Sequence, residues 1–117
     1  MTNAYYHYRK GKKLSRKKDF LKAIMHLEKA KSCEPNKGSI REALGRAYYN
    51  CGFYASAKKN FKKAVDIDAA NDFAHYGLSL CLAKEGNIAR ARGHIRIALF
   101  MKPKSKIYKK LAKKFNF

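Results

Sequence analysis

The sequence predicts an all-α fold, a solenoid of three helix–turn–helix repeats followed by one further C-terminal helix. Small and large apolar residues recur every 34 residues without an insertion or deletion. Within each repeat, apolar residues are spaced by three and four, which is the spacing of one helix face. Only two prolines interrupt the 117 residues, so long stretches are free to form helices. The recurring sets are Gly11, Gly45 and Ser79; Leu14, Tyr48 and Leu82; Ala23, Ala57 and Ala91; Leu27, Phe61 and Ile95; and Ala30, Ala64 and Ala98.

The first repeat, about residues 4–37, is the least regular of the three. Lys10 stands where the other repeats have Leu44 and Leu78, and Lys18 replaces the glycine of the turn. A terminal repeat has no neighbour on its outer side, so we expect polar residues to be tolerated there.

The second repeat, about residues 38–71, fits the pattern best. Its first helix is predicted from about 39 to 50 and its second from about 54 to 66, with Gly52 providing the left-handed residue between them. Gly45, Ala57 and Ala64 would let the two antiparallel helices approach closely. We expect Phe61 to fill the space between neighbouring helix pairs.

The third repeat, about residues 72–105, has a plausible N-cap at Asn71 or Asp72 and a turn at Gly86. After it, Ser105 is expected to cap a last helix, about residues 105–116. The apolar face of this helix would cover the open end of the third repeat, as a solvating helix does. The alternative for this segment is a basic amphipathic helix that lies on a membrane surface.

The charge is the second strong feature of the sequence. Lys and Arg number 28 against eight Asp and Glu, a formal net charge of +20, and the excess is concentrated at both ends. Such a field attracts nucleic acid, acidic protein segments or anionic lipid. The alternative is that the lysines only fill solvent-facing positions. The length predicts a single domain over residues 1–117. We find no signal peptide and no apolar run long enough to span a membrane.

Cysteine usage points to a reducing compartment. The three cysteines are odd in number and widely spaced, so we expect reduced thiols and a cytoplasmic location.

The recurring residues resemble the tetratricopeptide repeat (TPR), whose pattern is an aromatic residue, Leu-Gly, Tyr, Ala, Phe, Ala and Pro. The second repeat matches it through Leu44-Gly45, Tyr48, Gly52, Ala57, Phe61 and Ala64. The chain departs from the pattern at the tryptophan position, which holds His7, Arg41 and His75, and at Ala69, which replaces one proline. The resemblance implies a right-handed superhelix in which the first helix of each repeat lines a concave groove.

A groove of this kind would bind an extended peptide or a partner helix. Its predicted residues mix aromatic and cationic side chains, a combination that suits an acidic ligand with apolar anchors. They are Tyr5, Tyr8, Lys12, Arg16, Glu42, Arg46, Tyr49, Asn50, Phe73, Tyr76, Leu80 and Lys84.

One TPR subgroup grips the C-terminal carboxylates of heat-shock chaperones with two Lys, two Asn and one Arg. The corresponding positions of this chain are Tyr8, Lys12, Ala43, Phe73 and Gly77. Only Lys12 could act in that way, and it replaces an Asn. The resemblance therefore does not extend to this specificity.

Catalysis and metal binding are not predicted. His7 and His26, and likewise His75 and His94, could approach each other across a helix pair, but no further ligand completes a metal site. No nucleophile–base order and no phosphate-binding loop is found. We therefore expect neither an enzyme nor a cofactor.

The sequence favours a small adaptor that binds an acidic protein segment in its groove. The alternative is association with RNA or the ribosome through the basic surface, and a self-stacking homo-oligomer is a third hypothesis. Candidate polyanion contacts are Lys58, Lys59, Lys62, Lys63, Lys110 and Lys114.

Overall fold

The computed structural model describes residues 3–116, and all described secondary structure is helical. The single domain predicted over 1–117 also includes residues 1, 2 and 117, which lie outside the described part. Seven helices follow one another: α1 (Ala4–Arg16), α2 (Phe20–Cys33), α3 (Gly38–Asn50), α4 (Tyr54–Ile67), α5 (Asp72–Lys84), α6 (Ile88–Met101) and α7 (Lys106–Lys114).

The helices pack in the order of the chain. α1 packs on α2, α3 on α4 and α5 on α6, and each pair then packs on the next. The first helices of the pairs begin at residues 4, 38 and 72, and the second helices at 20, 54 and 88, so each series advances by 34 residues. Stacking gives an elongated body of 49 × 24 × 23 Å. The predicted all-α helical-repeat solenoid is confirmed.

The turns within the pairs use the left-handed conformation predicted for them. Gly52 and Gly86 both have φ of 82°, and Lys18 takes the same place in the first pair with φ of 63°. Side chains cap the starts of four helices in the described part of the chain: Asn3, Asn71, Asn87 and Ser105 accept hydrogen bonds from backbone N–H groups in the first turns of α1, α5, α6 and α7. Of the two caps considered for α5, Asn71 is the one used.

The core runs along the stack between the helices. Its buried side chains include Leu27, Ile40, Leu44, Phe61 and Ile95, with alanines at the closest approaches. The last helix covers the end of the stack, as expected. Its buried face packs against α5 and α6 and consists of Tyr108, Leu111, Ala112 and, just after the helix, Phe115.

The Asp72 carboxylate fastens α7 to the start of α5. The Tyr108 hydroxyl donates a hydrogen bond of 2.6 Å to Asp72 Oδ2, and Lys102 Nζ lies 3.5 Å from the same oxygen. Within residues 3–116, no helix has both the length and the apolar character needed to cross a membrane.

Candidate binding cleft between α1 and α3

A cleft of about 550 Å³ lies between α1 and α3. These are the first helices of two successive pairs, so the periodicity of the sequence places their outward residues side by side. The residues that line this α1–α3 cleft are Tyr8, Lys12, Ser15, Arg16, Lys18, Phe20, Ser39, Glu42, Ala43, Arg46 and Asn50.

Cations dominate the charge of the α1–α3 cleft. Lys12, Arg16, Lys18 and Arg46 line it, whereas Glu42 contributes the one carboxylate among the lining residues. Fixed charges inside a concave surface act through less water than charges on an open surface, so their field is stronger there. The cleft is therefore suited to an anionic ligand.

Two of these cations rest on aromatic rings. Lys12 Nζ lies 5.3 Å from the centroid of the Tyr8 ring, and the Arg46 guanidinium lies 5.0 Å from that of Phe73. Contact with the face of a ring attracts a cation and limits its freedom, while its N–H donors stay available to a ligand. These pairs hold two positive groups in place beside apolar surface.

The Glu42 carboxyl is half-buried among these groups. Burial and the nearby Asp72 carboxylate raise its pKa above the usual range. A hydrogen bond to Asn71 and the cations Lys12 and Arg46 act in the opposite direction without cancelling the shift. Burial therefore disfavours the charged form of Glu42, which is the one acidic group among the lining residues of a cleft that otherwise attracts anions.

Six of the predicted groove residues line this cleft and six do not. Those within it are Tyr8, Lys12, Arg16, Glu42, Arg46 and Asn50. Tyr5 is exposed beside Arg9, and Leu80 is half-buried against the core of the last helix pair.

The other predicted groove residues form a row of packed rings towards α7. The Tyr49 ring lies 5.1 Å from Tyr54, Phe73 lies 5.5 Å from Tyr76, and Tyr76 lies 5.1 Å from Tyr108. Lys84 Nζ covers the Tyr54 ring at 5.2 Å. On this part of the surface the aromatic rings pack against one another.

Five residues of the cleft lie outside the predicted groove set: Ser15, Lys18, Phe20, Ser39 and Ala43. Lys18 and Phe20 belong to the turn and the start of α2, so they lie outside the periodic pattern of the first helices. The replacement of the turn glycine by Lys18 was the signal that could have identified it.

The predicted polyanion contacts differ in their surroundings. Lys58 is partly covered and pairs with Glu85, with 2.9 Å between Nζ and Oε1. Lys59 and Lys62 are exposed on α4, and Lys110 and Lys114 are exposed on α7. Lys63 is half-buried.

Several solved TPR domains have the same arrangement of helices. The first TPR of Spaghetti (RPAP3) bound to the HSP90 peptide SRMEEVD superposes with a TM-score of 0.92 at 17% identity, over 97% of this chain and 90% of that one. The Arabidopsis OM64 TPR domain superposes with a TM-score of 0.93 at 20% sequence identity, over 96% of this chain and 93% of that one. The second TPR domain of human RPAP3, in complex with the HSP70 peptide SGPTIEEVD, superposes with a TM-score of 0.90 at 16% sequence identity, over 97% of this chain and 95% of that one.

This chain has the fold of a TPR domain. No protein-family model and no curated protein sequence matches it, so the likeness is one of structure. It confirms the fold that the 34-residue pattern predicted.

On the TPR fold, the positions of the carboxylate-gripping subgroup are not equally free to carry cations. Gly77, one of these positions, is buried, and a Cβ there would lie 2.5 Å from the ring of Phe61. Phe73 supports Arg46, and Ala43 lines the α1–α3 cleft without a polar group. The cations of this chain lie at Lys12, as the subgroup comparison allowed, and otherwise at different positions.

The histidines of this chain form two equivalent pairs between helices. His7 Nδ1 lies 3.0 Å from His26 Nδ1, and His75 Nδ1 lies 3.0 Å from His94 Nδ1. Among residues 3–116, no group of three or more His, Cys, Asp and Glu side chains is arranged to hold a metal ion. The pairs link the two helices of the first and third units.

Proposed function

We propose that this protein is a non-enzymatic interaction module that binds an extended, acidic segment of a partner protein in the α1–α3 cleft. The observation that carries the proposal is the lining of that cleft, with four cations, one carboxylate and two aromatic rings. TPR domains of the same fold bind peptides that contain two glutamates and end in Val-Asp. The cationic lining makes an acidic segment the favoured ligand of this chain as well.

The dimensions of the cleft suit a short segment. Each first helix has 13 residues and is therefore about 20 Å long. About six residues of extended chain cover that length. Tyr8 and Phe20 provide apolar contacts for side chains of the segment, and the cations provide its charge partners.

Fluorescence anisotropy with labelled peptides tests the proposal. An acidic peptide of about eight residues should bind the wild-type protein, and Arg46→Gln should weaken binding by about tenfold, because it removes a cation held in the cleft. Arg9→Gln is the matched control, since Arg9 lies beside Tyr5 outside the cleft. Equal loss of affinity in both variants, or no binding by the wild type, would contradict the proposal.

A second candidate function is binding of RNA or the ribosome by the exposed lysines. The net charge of +20 and the exposed Lys59, Lys62, Lys110 and Lys114 favour it. Binding to these lysines should weaken steeply with salt, because displaced counterions drive it. It should also survive Arg46→Gln. We propose a cytoplasmic location for either function, because the scattered cysteines suit a reducing compartment.

Self-association of the chain is a separate hypothesis. Sedimentation at several protein concentrations tests it.

A further inference from the structure

Lys18 adopts a backbone conformation that favours glycine. Its φ is 63°, and the equivalent turns of the other two units hold Gly52 and Gly86 at 82°. A side chain is not needed at this place for packing, because a Cβ built on Gly52 or Gly86 has no neighbour within 4 Å. The Lys18 side chain is exposed and lines the α1–α3 cleft. The first turn therefore adds a cation to the cleft lining, which the glycines of the other two turns cannot supply.

Positive charge gathers at the end of the cleft where Lys18 lies. Arg16 belongs to the last turn of α1, and Lys12 lies one turn earlier on the same helix. Within residues 3–116, neither Arg16 nor Lys18 makes an ion pair with a carboxylate. Ser15 and Asn50 add uncharged donors to the lining. This end of the cleft therefore offers more positive charge and more donors than one carboxylate of a ligand would use.

We propose that the Lys18 end of the α1–α3 cleft binds a phosphate group, so that the partner segment carries a phosphorylated serine or threonine. This inference rests on the proposed function. A phosphate monoester near pH 7 carries about −1.5 to −2 charges and three acceptor oxygens, so it can use more than one of the cations Lys12, Arg16 and Lys18, where a single carboxylate carries one charge.

Glu42 favours a phosphorylated protein segment over a nucleic acid. Its carboxylate lies along the same cleft as Lys12 and Arg46 and repels a ligand that is negative along its whole length. A segment with one dianion beside Lys18 and neutral or apolar residues near Glu42 avoids that repulsion. Tyr8, whose ring lies under Lys12, offers such residues an apolar contact.

The test compares two labelled peptides of about eight residues that differ only in phosphorylation of one serine. Their binding is measured by anisotropy at physiological ionic strength, where the Debye length is about 8 Å and distant surface lysines contribute little. The phosphopeptide should bind the wild type at least about tenfold tighter. Lys18→Gly should remove most of that preference while keeping the fold, since glycine suits this turn. Lys17→Gln is the matched control, because Lys17 is exposed and outside the cleft.

Each result bears on the inference in a defined way. Preference for the phosphopeptide that is lost in Lys18→Gly and kept in Lys17→Gln supports it. Equal binding of the two peptides overturns the phosphate site and leaves the proposed peptide function standing. Binding of neither peptide overturns both. Displacement of the phosphopeptide by a matched concentration of inorganic phosphate, or by single-stranded RNA of similar length, would also overturn it, because the site would then select a free anion or a nucleic acid.

Discussion

The ring of Phe61 occupies the space in which a side chain at Gly77 would begin. A Cβ at Gly77 would lie 2.5 Å from Cε1 and Cζ of that ring, and a Cβ at Gly45 would lie 2.8 Å from Cδ1 and Cε1. Phe61 on α4 is therefore enclosed by glycines of α3 and α5. These contacts set the distance between successive first helices of the stack, which are the helices that form the binding surface.

Replacing Gly77 by alanine should destabilise the fold. The added methyl group has to displace a ring that is 2% exposed, and overpacking of this kind costs about 1–3 kcal/mol. Gly93→Ala is the matched control: Gly93 is also helical, but a Cβ there has no neighbour within 4 Å, so alanine should stabilise by up to about 1 kcal/mol. Urea unfolding followed by circular dichroism measures both. If Gly77→Ala unfolds at the same urea concentration as the wild type, the contact with Phe61 does not set the helix spacing.

Replacing Glu42 by glutamine should increase affinity for acidic peptides. The substitution removes the negative charge from the lining of the α1–α3 cleft and keeps a side chain of the same size. We expect binding about two- to tenfold tighter near neutral pH, measured by anisotropy. Glu34→Gln is the control, because Glu34 is exposed in the α2–α3 connection, away from the cleft.

The same carboxyl predicts the pH dependence of binding. Because burial raises the pKa of Glu42, its charge is lost as the pH falls through a range above that of an ordinary glutamate. Affinity for a peptide with ordinary carboxylates should therefore rise as the pH is lowered towards that range, and Glu42→Gln should abolish the rise. An unchanged pH profile in Glu42→Gln would assign the effect to another group.

Lys18→Gly should stabilise the protein by about 1 kcal/mol. The left-handed backbone conformation raises the free energy of a residue that has a Cβ. Glycine has no Cβ and adopts this conformation without strain, as Gly52 does. Lys17→Gly provides the comparison, because Lys17 has φ of −83° and gains no such relief. Thermal unfolding of the two variants under identical conditions gives the difference, and equal melting temperatures would contradict the prediction.

Tyr108→Phe should loosen α7. The substitution removes the 2.6 Å hydrogen bond to Asp72 without changing the packed ring, and a hydrogen bond to a charged group contributes about 1.5–3 kcal/mol. Hydrogen exchange should then increase in α7 more than in α1 to α4, which α7 does not anchor. Tyr5→Phe, on an exposed side chain, is the control. Uniform exchange changes along the chain would show that α7 does not open separately.

The sequence was sufficient to predict the helices because a period of 34 residues repeats the same packing three times. Ala23, Ala57 and Ala91 are fully buried at equivalent places, so a single pattern identified the core of all three units. A cap depends on residues within one turn, so the sequence predicted Ser105 for α7 and narrowed the cap of α5 to Asn71 or Asp72, of which Asn71 is used.

The binding surface was predicted only in part, because periodicity shows which face of a helix a residue occupies and not what covers that face. Tyr76 has the register of a groove residue, but the ring of Tyr108 in α7 lies against it. Lys18 shows the reverse case. It lies in a turn, outside any helical period, and reaches the cleft only through the fold of the chain.

The His75–His94 pair should make stability depend on pH. His75 Nε2 lies 2.9 Å from the Ala69 carbonyl, which can only accept, so His75 donates there and its Nδ1 accepts from His94. Burial, His75 and Arg90 lower the pKa of His94 below its usual value of 6.5. The unfolded chain therefore takes up this proton at a higher pH than the folded chain does.

The free energy of unfolding should consequently fall as the pH drops through 6.5 and level off below the folded pKa of His94. The variant His94→Asn removes the titrating imidazole of residue 94. Asparagine is chosen because Asn60 holds the equivalent position of the second unit. The stability of this variant should vary less than that of the wild type between about pH 7 and about pH 5, where histidines titrate and most carboxylates stay charged. Urea unfolding at each pH measures this, and parallel curves for the two proteins would exclude His94 as the source.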